Sequence, residues 1–180
     1  LRILRAIRFA AQLGFSIEGE TYGAIREIAP NLKNVSKERI QVELTKLLTS
    51  AHPEKISMVE DTGISPYVTR DFPLVFQTER ERMAGGTSRP EPFSCLALLP
   101  PEKSRRWAGF LRHMEPDMVR RILKGLKLDN ETVDNGKAMA GAAQAPLGPE
   151  KPGIRRFLSR MTPYQFDGCL RLKALDKDPQ

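Results

Sequence analysis

Three arginines recur at every third position within the first 15 residues, LRILRAIRFAAQLGF: they are Arg2, Arg5 and Arg8. At about 100° per residue in an α-helix, they fall on one arc of about 120°. A guanidinium group presents its donors in one plane, which suits bidentate pairing with base edges or phosphate oxygens. The spacing therefore predicts a cationic ridge, and binding of nucleotides or nucleic acid is one interpretation of it. On the spacing alone, a solvated ridge or one held by salt bridges is the favoured interpretation; the acidic candidates are Glu18, Glu20 and Glu43.

Two further basic clusters have the composition of a phosphate-binding surface. Residues 102–127 contain eight Lys or Arg and three acidic residues. Such clusters bind nucleic-acid phosphates without sequence preference, although a solvated helix face has the same composition. The candidate RNA-binding residues of the first cluster are Lys103, Arg105, Arg106, Arg112, Arg120, Arg121, Lys124 and Lys127. Those of the second cluster are Arg155, Arg156 and Arg160.

Composition and charge narrow the class of protein. The 180 residues, 40% of them hydrophobic, suffice for one large domain or two small ones. A net charge of +7 favours a polyanionic partner, most simply nucleic acid. No apolar run approaches the length of a membrane span. Cys95 and Cys169 are expected to be buried thiols of a reducing compartment, which predicts a cytoplasmic protein. His52 and His113 are isolated, and we find no metal-binding or catalytic motif around them.

The elements that must position these residues are helices. Apolar residues recur with helical period and no strand pattern alternates, so the predicted fold class is all-α. The first helix is expected to end at Gly14, a residue that readily takes the left-handed conformation. Leu4, Ile7 and Phe9 are expected to pack against the core.

A third helix is expected over 36–48, after a second over 19–29. Ser36 is predicted to cap it and Val35 to pack on Ile40 as a hydrophobic staple. Glu43 and Lys46 are predicted to face outward. The expected buried stripe is Ile40, Leu44, Leu47 and Leu48.

The rest of the chain is predicted as short helices separated by breaks. A short helix is expected from Pro53 to Gly63, and residues 63–76 are expected to be irregular because two prolines interrupt them. Residues 79–92 and 141–153 are expected to be loops or linkers. Within the first basic cluster, Trp107 and Phe110 favour a core position over stacking on RNA. Asp129 is a predicted helix cap. Further helices are expected near 93–99, 101–114, 116–126, 130–143, 153–161 and 163–176.

The first 48 residues, where LRILRAIRFAAQLGF is followed by VSKERIQVELTKLL, resemble the class II tRNA nucleotidyltransferase (CCA-adding enzyme) and bacterial poly(A) polymerase family. In that family a motif EDxxR, followed by two arginines at three-residue spacing, recognises the base of the incoming nucleotide. The resemblance assigns this role to Arg2, Arg5 and Arg8. A supporting helix carries ERI…EL…L, which is matched here by Arg39 and Glu43. Residues 123–139 and 153–179 resemble the family's tail more loosely.

The resemblance implies a helical neck, body and tail that bind tRNA, CTP and ATP. The Mg²⁺ cofactor would be bound by a catalytic head domain that this segment lacks, so the segment alone is expected to be inactive. We expect a nucleotide- and RNA-binding neck over 1–50, an irregular helical connector over 51–92 and a tRNA-binding body and tail over 93–180. Poly(A) polymerase activity, or a non-catalytic RNA-binding or protein-interaction module, remain the alternatives. The oligomeric state stays open.

Overall fold

The fold is that of a computed structural model, which describes residues 1–84, 91–145 and 159–175. Those residues form helices and turns with no strand, which confirms the all-α prediction. Within these described ranges, three short 3₁₀ helices lie at Ala29–Asn34, Pro53–Ile56 and Ser94–Leu98. The α-helices are α1 Arg2–Leu13, α2 Gly19–Ile28, α3 Lys37–Leu48, α4 Ser57–Asp61, α5 Ser65–Val68, α6 Phe72–Met83, α7 Lys103–Phe110, α8 Pro116–Gly125, α9 Asn130–Gln144 and α10 Pro163–Leu175.

Helix α1 packs against α3 through one apolar face. Leu4 and Ile7 are buried, and Gly14 ends the helix in the left-handed region with φ 74°, as predicted. Phe9 is a correction, because half of its surface is exposed rather than packed in the core. On the helical wheel Phe9 lies about 160° from Ile7, on the side that faces away from α3.

Helix α3 carries its predicted buried stripe, but its polar residues differ from expectation. Ile40 and Leu44 are fully buried. The Ser36 side chain makes no capping hydrogen bond, contrary to the prediction. Glu43 is buried instead of facing outward, whereas Lys46 is exposed as expected.

The prediction of irregular structure over 63–76 is wrong. Pro66 and Pro73 lie in the first turns of α5 and α6, where the missing proline N–H leaves no hydrogen bond unmade. Because α6 runs to Met83, the predicted loop at 79–92 begins later than expected. Most of the expected helix at 153–161 lies outside the described residues.

One apolar core joins the two ends of the described chain, from Ile3 to Leu172. Trp107 and Phe110 are buried in it, as predicted, and the Trp107 indole donates a hydrogen bond of 2.9 Å to Thr45 Oγ1 on α3. Asp129 caps α9 by accepting a hydrogen bond from the Thr132 amide, which confirms its predicted role. Rings that meet at centroid distances of 5.2–6.1 Å belong to Phe72, Phe76, Phe93, Trp107 and Phe110.

Candidate nucleotide- and RNA-binding surface

A single buried carboxylate organises the arginine ridge of α1. Glu43 on α3 accepts hydrogen bonds from Arg5 Nε at 3.2 Å and from Arg8 Nε at 2.7 Å. The Glu43 side chain is only 6% exposed, whereas that of Arg5 is 54% exposed. The carboxylate therefore orients two guanidinium groups from below while Arg5 still reaches solvent. The salt bridge to Glu43, raised as a structural alternative, and a binding role for Arg5 thus coexist.

Arg8 is enclosed by its neighbours. Its side chain is 11% exposed, and its guanidinium carbon lies 3.9 Å from the centroid of the Phe9 ring. Gln12 accepts a further hydrogen bond from Nη1 of Arg8. Arg8 therefore connects Glu43 on α3 with the exposed Phe9 ring, and little of its side chain remains accessible to a nucleotide.

The side chains of Arg2 and Arg39 are exposed, and no hydrogen bond or ion pair joins either side chain to another described residue. With Arg5 they leave cationic groups on the surface above Glu43. An arginine without a protein partner keeps all its donors for base edges or phosphate. Arg2 is therefore the ridge residue whose donors are freest to bind a ligand.

Exposed apolar side chains follow the arginines in the second half of α1 and just beyond its end, and sequence reasoning missed them. Phe9, Leu13 and Phe15 are 50%, 59% and 63% exposed. A helical wheel of the sequence would have indicated that Phe9 is exposed, since it lies within about 40° of both Arg2 and Arg5. A mixed surface of arginine and aromatic groups is typical of nucleic-acid binding.

The first basic cluster divides into buried, paired and free groups. Arg106 is buried, and donates to the main-chain oxygens of Leu48 and Pro100 at 3.0 and 3.1 Å. Arg112 is also buried, with Glu79 as its partner at 3.1 Å. These two guanidinium groups hold the fold together and are not placed to contact RNA.

Three other members of this cluster are paired with carboxylates. Lys103 donates a hydrogen bond to the Asp129 carboxylate. This hydrogen bond is the largest of the causes that lower the pKa of Asp129 to about 2. Arg121 binds Asp71 at 3.1 Å. Arg105 contacts Glu102, Asp167 and the Tyr164 ring. These pairs reduce the positive charge that the cluster presents to a ligand.

The side chains of Arg120, Lys124 and Lys127 are exposed and have no hydrogen-bond or ion-pair partner among the described residues. Arg120 and Lys124 stand one turn apart on α8. Sequence reasoning did not include Arg70, which is exposed and follows Thr69. Thr69 lies against α8, since a Cβ placed on Gly125 would be 3.2 Å from Thr69 Cγ2. The tertiary fold thus brings the Thr69–Arg70 segment close to the C-terminal end of α8. Of the second cluster, Arg160 is exposed, while Arg155 and Arg156 lie outside the described residues.

A cavity of about 240 Å³ lies elsewhere, beside α4 and α6. Four carboxylates line it, those of Glu60, Asp61, Glu79 and Glu91, against the single cation of Arg80. Its negative charge disfavours a nucleotide triphosphate.

Across residues 1–84, 91–145 and 159–175, no group of three or more His, Cys, Asp or Glu is placed to hold a metal ion. In the same ranges, no helix is both long and apolar enough to cross a membrane.

Comparison with known proteins identifies the family. Residues 14–73 match the model described as "Probable RNA and SrmB- binding site of polymerase A". The CCA-adding enzyme of Geobacillus kaustophilus is 30% identical over 168 residues, which cover 88% of this chain and 39% of that enzyme. The CCA-adding enzyme of Streptococcus mutans is 34% identical over 135 residues, or 73% of this chain and 31% of that enzyme. That of Leuconostoc mesenteroides is 54% identical over 48 residues, or 27% of this chain and 12% of that enzyme.

The chain belongs to the CCA-adding enzyme family and corresponds to a C-terminal region of these enzymes. It spans at most 39% of the length of the relatives described above.

Proposed function

We propose that this chain is the nucleotide-selecting and tRNA-binding part of a cytoplasmic tRNA nucleotidyltransferase, which adds CCA to tRNA 3′ ends from CTP and ATP. The observation that carries this proposal is the buried Glu43 carboxylate, which orients Arg5 and Arg8 while Arg2 stays free. A fixed planar donor can complement the edge of C or A in place of a template base. The similarity to CCA-adding enzymes supports the same reading.

Each ridge residue has a different task in this proposal. Arg2 offers its donors to the base edge. Arg5, half exposed and held by Glu43, offers its remaining donors to the base or to a phosphate. Arg8 fixes the position of α1 on α3 and touches no ligand. Discrimination depends on this rigidity, because a mobile donor would accept several base edges.

The metal ion of the reaction would be bound outside this chain. Mg²⁺ supplies charge stabilisation in phosphoryl transfer, but the described residues contain no donor cluster that fits a metal ion. In this proposal the chain supplies binding and selection, and a separate domain of the enzyme supplies the chemical step.

The basic face formed by Arg70, Arg120, Lys124 and Lys127 would bind the tRNA backbone. These side chains are exposed and have no ion-pair partner among the described residues, so phosphate contacts replace no protein contact. The match of residues 14–73 to an RNA-binding family model supports an RNA partner. Backbone contacts of this kind position the RNA without reading its sequence.

The test is binding of the chain to tRNA lacking CCA, measured by fluorescence anisotropy at several salt concentrations. Affinity should fall steeply with salt, because released counterions drive phosphate binding. The double variant Arg120→Ala with Lys124→Ala should lower the slope of log affinity against log salt by about 2. Lys103→Ala is the matched control, since Lys103 is already paired with Asp129. A salt-independent affinity, or equal slopes for the double variant and wild type, would contradict the basic face.

Poly(A) polymerase is the second candidate, because the matched family model is described by a site of polymerase A. The two activities differ in the nucleotides that the complete enzyme uses. Addition of both C and A to tRNA lacking CCA supports the first proposal, whereas extension with A alone supports the second.

A further inference from the structure

We propose that Phe9 is a stacking platform for an unpaired base of the bound RNA. This inference rests on the proposed RNA-binding function and assigns one contact within it. Phe9 contributes little to the core, since half of its surface is exposed in the middle of a well-formed helix.

The Phe9 ring is held in place from one side. The Arg8 guanidinium carbon lies 3.9 Å from the ring centroid, and Glu43 fixes that guanidinium through a hydrogen bond of 2.7 Å. A cation over one face of an aromatic ring is attracted by the ring's electrons. The ring is thus restrained by this contact before any ligand arrives, while half of the Phe9 surface remains exposed. Less side-chain freedom is then lost on binding than for a mobile phenylalanine.

The surroundings of Phe9 fit a nucleic acid. Arg2 and Arg5 flank the ring on the preceding turns, and Leu13 and Phe15 continue the exposed apolar surface. Proteins that bind single strands combine cationic groups for the backbone with aromatic rings for the bases. The sequence of α1 contains no acidic residue that would repel a phosphate.

The position of Phe9 along the chain favours RNA over the incoming nucleotide. Arg2, one end of the ridge, is the residue proposed to read that nucleotide, and Phe9 lies two turns further along α1. The region matched by the RNA-binding family model begins directly after α1, at Gly14, and includes Phe15. Phe9 therefore stands between the nucleotide-selecting end of the helix and the RNA-binding region.

The probe is an RNA hairpin with three unpaired 3′ nucleotides, compared with the same hairpin whose unpaired nucleotides lack their bases. Anisotropy titrations use the full chain at fixed salt. Phe9→Ala should weaken binding of the intact hairpin about fivefold or more, because stacking on an aromatic ring contributes substantially per base. It should leave the abasic hairpin unchanged, and Phe9→Trp should retain wild-type affinity. Leu98→Ala is the matched control, as Leu98 is an apolar residue that is 76% exposed and belongs to the 3₁₀ helix Ser94–Leu98 rather than to α1.

The possible outcomes separate this inference from the proposed function. If Phe9→Ala binds both hairpins as wild type does, the platform is overturned while RNA binding stands. If it weakens both hairpins equally, the loss does not come from a base and the platform is again overturned. If wild type binds neither hairpin, RNA binding and the platform fail together. Circular dichroism of each variant verifies that α1 remains folded.

Discussion

Glu43 Oε2 on α3 lies 2.7 Å from Nε of Arg8 on α1, and both side chains are nearly buried, at 6% and 11% exposure. The pair joins residues 35 positions apart in the sequence. Because the same carboxylate also binds Arg5, the charge that stabilises the helix pair also orients the candidate nucleotide-binding surface. Structure and function at this site therefore depend on one group.

Replacement of Glu43 by Ala should lower the free energy of unfolding by about 2–3 kcal/mol. The change leaves the enclosed Arg8 guanidinium without its ionic partner, and an unpaired buried charge is costly. Urea unfolding followed by circular dichroism measures the difference. Glu27→Gln is the control, since Glu27 is exposed on α2, and it should change stability by less than about 0.5 kcal/mol. Equal effects of the two variants would refute the central role of Glu43.

Replacement of Arg2 by Ala in the complete enzyme should reduce discrimination between nucleotides. Loss of a bidentate donor pair removes about 1–3 kcal/mol of base selectivity, so misincorporation of UTP and GTP should rise relative to CTP and ATP. Arg8→Ala should instead slow all nucleotides by one common factor, because Arg8 braces α1 rather than facing solvent. Single-nucleotide incorporation assays separate the two patterns, with circular dichroism as the folding control. If Arg2→Ala also slows incorporation of all nucleotides by one common factor, the base-reading role is refuted and the arginine ridge has a structural role.

The chain alone should add no nucleotide to RNA. Phosphoryl transfer depends on metal ions for charge stabilisation, and the described residues offer no cluster to bind them. Incubation of the chain with Mg²⁺, labelled CTP and ATP, and tRNA lacking CCA provides the measurement. The complete enzyme serves as the positive control. Robust incorporation by the chain alone would show that the division of labour proposed above is incorrect.

The stability of the fold should decrease as pH falls from 7.5 to 5. The pKa of His113 is lowered to about 3, first by burial and then by the charges of Arg112 and Arg82. Glu79 Oε2 lies 3.6 Å from His113 Nε2, but Glu79 is already paired with Arg112. With a folded pKa below the unfolded value of about 6.5, the unfolded chain binds the proton first as pH falls. The stability present above pH 6.5 is therefore lost progressively toward pH 3.

The expected loss between pH 7.5 and 5 is about 1–2 kcal/mol, measured by urea unfolding at each pH. Carboxylates with lowered pKa values, such as Asp129, lose their contribution at lower pH and do not dominate this range. His113→Gln should reduce the dependence of the unfolding free energy on pH in this range. His52→Gln is the control substitution, because His52 is the exposed histidine. A dependence that persists unchanged in His113→Gln would assign the effect to another group.

Local sequence rules predicted the features that depend on short-range geometry. The arginine arc of α1 and the left-handed Gly14 follow from helical period and backbone freedom, and Asp129 caps α9 because its side chain reaches an amide within the first turn. Trp107 is in the core, as the hydrophobic effect requires of a large ring. The all-α class was also predictable, because the hydrophobic periodicity of a helix is visible within each segment of the sequence.

Tertiary packing decided the features that depend on distant partners. Glu43 occupies a position that a single helix would expose, and it is buried because two arginines of α1 meet it there. The sequence predicted Arg106 and Arg112 to be surface cations. Both are buried, because Arg106 donates to main-chain oxygens and Arg112 pairs with Glu79. Helix α6 was missed because two prolines imply breaks, whereas the core covers its Phe72 and Phe76. The sequence by itself determined the all-α class, the first helices of the chain and the cationic face of α1. Only the fold decided which charges stay free, because that depends on partners brought together from distant parts of the chain.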